Sequence, residues 1–520
     1  MQKRWWALLG AGALFAAPAW AEDSGEETAP EARQAGLPDL SEAELVERAM
    51  ANWIRDRDTV CDVQRPAAAE LVRREPDSEV FNRLWFMIGA ICADMEGRYD
   101  DGLAHIEEGF AEWGFPRETL IYGLALASRA QDGEAAFHYL ELAIDNGIIA
   151  DTDVELVFRA LRTIRQADLD DRLEALAANF AQAPGFAEVD DEIRTALAYP
   201  ALEAALEAGE TELAGSLFQH MRQPTAYAEF LASREYEPVW PSVEVRAGEN
   251  FNAITGEYLD WARARYDADP ADRQLFSVLA HALMFDGQFE QAIALVEEWR
   301  SQPDAIENIE EGDAWAFNVA AYSHDALGQF GRADVIFDEL AALSEDKPWA
   351  VNFVINRAAR LVSHGRWEEG LAANAIAREI ADVQGSTFAQ MLIARNRVCA
   401  LAYLGRGGEA DEDIRFLREH AADSGHVTAT ALLCVGEEEE AVDIAVARLE
   451  DEDTRSSMIG ELQPSEFDLF YTPSVYPDVR DLVAKHPRLA ETLARYARQI
   501  PERFYPAAAL KRAALPQVEP

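Results

Sequence analysis

From Ser41 to about Arg512, apolar residues recur three and four positions apart, and strict every-second-residue alternation is nearly absent. That spacing predicts helices. Short Gly-containing turns interrupt it at intervals, so the helices are expected in antiparallel pairs. The first helix has a legible start: Ser41 can cap it, Glu44 can reach back to the cap, and Leu40 and Leu45 can close an apolar staple.

The turns share a signature. A Gly is followed five residues later by a small residue: Gly97 and Gly102, Gly209 and Ala214, Gly287 and Ala292, Gly328 and Ala333, Gly365 and Gly370, Gly405 and Ala410, Gly436 and Ala441. Seven residues before the Gly stand Ala90, Ala280, Ala321, Ala358 and Ala429, with Leu202 and Val398 in the other two cases. Nine residues after it comes a larger apolar residue in Ile106, Phe218, Val296, Phe337 and Ile414. Gly can take the left-handed conformation that ends the first helix. Small residues let the two backbones cross closely, and the larger one fills the groove to the next pair. One pair cannot bury its own apolar faces, so pairs are expected to stack.

In these residues the chain resembles the tetratricopeptide repeat (TPR) family. The match is best over 273–417, as in Leu279, Ala280, Leu283, Gly287, Ala292 and Val296, then Phe317, Ala321, Gly328, Ala333 and Phe337. The family period is about 34 residues, whereas successive Gly spacings here are 41, 37, 40 and 31. Gly370 and Asn374 depart from the usual Ala and aromatic residue. The segment from Ala136 to Ile144 looks like the second helix of a repeat with a shortened turn. The resemblance implies an all-α fold, a right-handed α-solenoid of TPR-like hairpins in one array or two. An N-terminal array is expected over 39–235 and a C-terminal one over 250–512, with the break at 236–250. It also implies a protein-binding role, with the first helix of each pair lining a concave groove. Its register places Trp315, Asn318, Tyr322 and Asp325 there from one unit, Asn352 from the next and Arg395 from the one after. Asn can pair with a peptide backbone and Arg with a carboxylate.

Two strings mix aromatics with Pro: 235–241, which holds Tyr236, Pro238, Trp240 and Pro241, and 470–477, which holds Phe470, Tyr471, Pro473, Tyr476 and Pro477. They read as packing elements that close helical arrays, with ligand contact as the other reading.

Outside the repeats, Lys3 and Arg4 precede an apolar run from Trp5 to Ala17, and Ala19-Trp20-Ala21 ends it. Residues 1–21 are expected to be a signal peptide, cleaved before Glu22. Residues 22–38 read as a disordered acidic leader and 513–520 as a tail. The first Cys is Cys61, so no lipidated N-terminal Cys is available. These features predict a periplasmic or secreted protein of a Gram-negative bacterium, with no membrane insertion after cleavage. Losing Lys3 and Arg4 takes the formal charge from −49 to −51, a surface that repels nucleic acid. The four Cys suit an oxidising compartment. Three connectivities are open, as are four buried thiols; closeness in sequence favours Cys61 with Cys92 and Cys399 with Cys434.

No catalytic, metal or cofactor constellation emerges. There is no Gly-Lys dipeptide for a phosphate loop, no Gly-x-Ser-x-Gly and no His-Glu-x-x-His. The acidic runs 437–440 and 450–453 lack calcium-loop spacing. The protein is therefore expected to bind a protein or peptide partner as a scaffold rather than catalyse a reaction. The alternatives are a structural subunit of an envelope assembly and, less favoured, a helical cell-wall lytic enzyme, for which 464–512 is too short to hold the catalytic domain.

Overall fold

A computed structural model describes residues 37–50, 58–110, 116–302, 305–467, 469 and 474–512. The expected signal peptide, nearly all of the acidic leader, the tail and residues 470–473 lie outside them. The described residues form an all-α helical repeat fold, and the chain divides into two compact units between Met221 and Arg222. The segment 236–250 lies inside the second unit.

In the first unit the helices are α1 (Glu42–Met50), α2 (Arg65–Arg74), α3 (Glu79–Met95), α4 (Tyr99–Phe110), α5 (Arg117–Ala130), α6 (Gly133–Asp145), α7 (Val154–Gln166), α8 (Asp170–Ala181), α9 (Asp191–Glu207) and α10 (Thr211–Leu217). The cap read from the sequence is in place. The Ser41 N–H donates to Glu44 Oε2 at 2.7 Å and the Glu44 N–H to Ser41 Oγ at 3.3 Å. Leu40 packs on the cluster that holds Leu45, Val60, Phe81 and Ile88. The crossing of α3 and α4 is close: a Cβ on Gly102 would come within 3.3 Å of the Ala90 carbonyl. The Ala136–Ile144 segment is the second helix of a hairpin, as its resemblance implied. Its turn carries Gln131 at φ 57° instead of a Gly, and Asp168 does the same between α7 and α8.

Glu174 of α8 is buried and hydrogen-bonds Glu203 of α9. Burial, then the charges of Glu207, Asp171 and Asp170, push its carboxyl up to about 7. The folded state therefore holds this proton more tightly than the unfolded chain does. Its stability contribution is fully present below about pH 4.5 and is lost as pH rises through about 7. Glu174→Gln keeps the neutral hydrogen-bonding form. It should stabilise the chain by roughly 2–3 kcal/mol at pH 8 and little at pH 4.5. Thermal melts of parent and variant across that range check this; parallel curves would contradict it.

In the second unit the helices are α11 (Tyr227–Ala232), α12 (Trp240–Ala247), α13 (Asn252–Ala268), α14 (Arg273–Phe285), α15 (Phe289–Arg300), α16 (Glu311–Ala326), α17 (Phe330–Ala342), α18 (Val351–Ser363), α19 (Trp367–Gln384), α20 (Thr387–Tyr403), α21 (Asp411–Glu419), α22 (Gly425–Cys434), α23 (Glu438–Glu450), α24 (Glu452–Glu461), α25 (Asp481–Lys485) and α26 (Pro487–Tyr496). Five hairpins run from α14 to α23, and first helices lie side by side: α14 with α16, α18 with α20, α20 with α22. All seven signature glycines turn at positive φ. The cores between helices are Ala, Leu and Phe, as at Phe317, Phe337 and Phe353, which are fully buried.

The end of this unit returns to its beginning. The Arg498 N–H donates to the Ala232 carbonyl at 2.9 Å, and the Ala507 N–H to the Asn250 carbonyl at 3.1 Å. Arg498 also lies over the Trp240 ring at 3.7 Å, so the 235–241 string packs as expected. Phe251, buried against Phe467, is held at φ 61°. A bulky side chain pays for that conformation, and the returning segment fixes it in place.

Candidate functional site

Polar side chains of the first helices α16, α20 and α22 come together around Arg395 and Tyr476. Arg395 and Asn396 stand on consecutive positions of α20. The Arg395 guanidinium donates to Asn396 Oδ1 at 2.8 Å and lies over the Tyr476 ring at 5.2 Å. The Tyr476 hydroxyl donates to the same Oδ1 at 3.0 Å. Burial pushes that hydroxyl up to about 12, against the pull of Arg395, so it stays a donor at neutral pH. Tyr322 of α16 is likewise pushed up to about 12, first by burial and then by Asp325. His426 of α22 sits in the field of Glu461, Arg395, Arg480 and Asp478. Burial lowers its pKa, so the ring is neutral. Asn396 is fully buried, yet its Nδ2 has no hydrogen-bond partner among the described residues, nor has Nδ1 of His426.

The residues assigned to the groove from the family register divide into two sets. Tyr322 and Arg395 are brought within electrostatic reach of each other. Asn318 and Asp325 are buried between hairpins instead. Asn318 Oδ1 accepts from Asn356 at 3.3 Å, and Asp325 is gripped by Arg360 at 2.5 and 2.6 Å. Trp315 packs edge-on against Phe353 at 5.0 Å and hydrogen-bonds Glu311, while Asn352 is half-buried on α18. Asn396 escaped the sequence reading, and no role was assigned to His426. A polar residue beside Arg395 was visible, but only the chain's return, which sets Tyr476 against α20, marks that position as special.

Both expected cysteine pairs are joined, with Cα atoms 5.4 Å apart for Cys61–Cys92 and 5.0 Å for Cys399–Cys434. Cys399 packs with Val362, Ala400 and Tyr476, just behind the polar face. A cleft of about 230 Å³ lies between α19 and α20, lined by Asn374, Arg378, Arg397 and Arg406 among others. Its arginines are already engaged: Arg378 and Arg397 with the buried Asp413, and Arg406 with Glu409. Among the described residues no group of three or more His, Cys, Asp or Glu could hold a metal ion, and no helix is long and apolar enough to cross a membrane.

No family model matches the chain, and no curated protein matches it. Thirty-six chains of solved structures are similar. One is described as the crystal structure of Rap protein complexed with competence and sporulation factor. It is 14% identical, the alignment covers 76% of this chain and 93% of that one, and the TM-score is 0.29.

Proposed function

We propose that the protein is an exported, divergent TPR-type scaffold that holds a protein or peptide partner on the first-helix face of its second unit. The observation that carries this is the incompletely paired polar set made by the half-buried Arg395 and His426 around the buried Asn396. A buried amide nitrogen without a partner costs free energy unless something engages it. Export is supported by the two disulfides, which an oxidising compartment maintains, and by the charged-then-apolar start of the chain.

The test is affinity capture from envelope extract with the mature chain and its Arg395→Ala variant as baits. Arg395 is half-buried, so its loss should leave helicity unchanged while removing a partner that the parent retains. Identical capture by both baits would count against this face.

A further inference from the structure

We infer that the first-helix face of the second unit recognises an extended protein segment carrying a tyrosine, and that residues 474–478 occupy it as an internal ligand. This rests on the scaffold reading above.

The segment Ser474-Val475-Tyr476-Pro477-Asp478 crosses α18 and α20 as a strap without regular structure. Its contacts differ in kind from those between repeats. The Val475 N–H donates at 2.9 Å to the carbonyl of Ser363, the last residue of α18. A helix cannot satisfy its own terminal carbonyls. The Val475 carbonyl accepts from the Tyr403 hydroxyl at 3.0 Å. Both backbone groups of one strap residue are thus held, which reads an extended chain whatever its side chain. The next residue is read by its side chain. The Tyr476 ring packs on Val362, Cys399 and Ala400, meets Arg395 on its face, and sends its hydroxyl to Asn396. Tyr403 itself is exposed and stacks at 4.5 Å on the half-buried Trp367 beside the strap.

Residues 474–478 are only half-buried; core burial resumes at Val479. The strap also leaves Asn396 Nδ2 and His426 Nδ1 unpaired among the described residues. The chain's own segment therefore satisfies the site in part, and a partner segment with further acceptors can satisfy more of it. A tethered ligand acts at an effective concentration on the order of millimolar. It will suppress a free peptide of about 100 µM affinity roughly tenfold.

The experiment measures fluorescence anisotropy of a labelled Ser-Val-Tyr-Pro-Asp peptide on the full chain. Tyr476→Ala should bind it at least about tenfold tighter than the parent. Adding Arg395→Ala should abolish that gain, and a peptide with Ala in place of Tyr should not bind. Val475→Pro, which removes the strap's donor and leaves the ring pocket intact, should also raise binding. Equal or absent binding by parent and both variants, with folded melts retained, overturns the proposal. So does unfolding of both variants, since the strap would then be a core element. Capture of a partner through Arg395 with no peptide binding would sink this inference and leave the scaffold reading standing.

Discussion

Asp325→Ala should lower the stability of the second unit by about 3–5 kcal/mol. Asp325 and Arg360 face each other with side chains 1% and 4% exposed, joined by two parallel hydrogen bonds. Arg360 also donates to Asp334 and to the Phe330 carbonyl, and Arg366 holds Asp334 from outside at 2.8 Å. Burial works to raise the Asp325 carboxyl, and Arg360 opposes it. At Asp334 burial acts the same way, but Arg360 and Arg366 win and hold the carboxyl below its usual range. Removing Asp325 leaves a buried guanidinium with one partner fewer, and its desolvation is then uncompensated. The double variant Asp325→Leu with Arg360→Met removes both charges, so it should lose less than either single change. Thermal unfolding checks this, with a fall of about 5 °C or more expected for Asp325→Ala. Hydrogen exchange should accelerate in α16 and α18. A single variant that melts with the parent would show that the pair is not what joins these hairpins.

That ion pair also shows what the sequence made legible. The seven turns were readable because Gly, five residues before a small residue, has a specific physical cause. The helix after Gln131 was read from its own residues, but its turn and the one at Asp168 leave no such mark, because the residue in the left-handed region is not a Gly. The repeat register offered Tyr322 and Arg395, which lie within electrostatic reach of each other. Asp325 did not stay on the open face, since its partner lies 35 residues on. Pairs at similar separation link Arg273 with the buried Asp313, Arg378 with the buried Asp413, and the half-exposed Arg300 with Glu339, 40, 35 and 39 residues apart. Opposite charges about one repeat apart are a signal of pairing between hairpins, and it was there to be read. The strap was harder. Tyr476 meets Asn396 from 80 residues away, and local periodicity carries no information about such a return. What survived was composition: the Pro-aromatic string was conspicuous, and its described part, Ser474 to Pro477, packs on the second unit through Tyr476.

Loss of the Cys399–Cys434 bond should cost about 3–4 kcal/mol and loosen the strap. The bond spans 35 residues and ties α20 to α22, two successive first helices. The Cys61–Cys92 bond spans 31 residues in the first unit. Loop-closure entropy gives the two nearly equal weight, within about 0.1 kcal/mol of each other. Position separates them. Cys399 is fully buried and lies in the cluster that receives Tyr476, while Cys92 belongs to the cluster around Leu45 and Phe81. Cys399→Ala with Cys434→Ala should therefore speed hydrogen exchange at the Val475 amide, whose acceptor is Ser363. Cys61→Ala with Cys92→Ala should leave that amide protected while lowering stability by a similar amount. Because stability loss is matched between the pairs, a faster Val475 amide in both variants would mean general loosening. A slow one in both would mean that the strap is held without help from the disulfide. Only the asymmetric result connects the crosslink to the face that α20 and α22 build together.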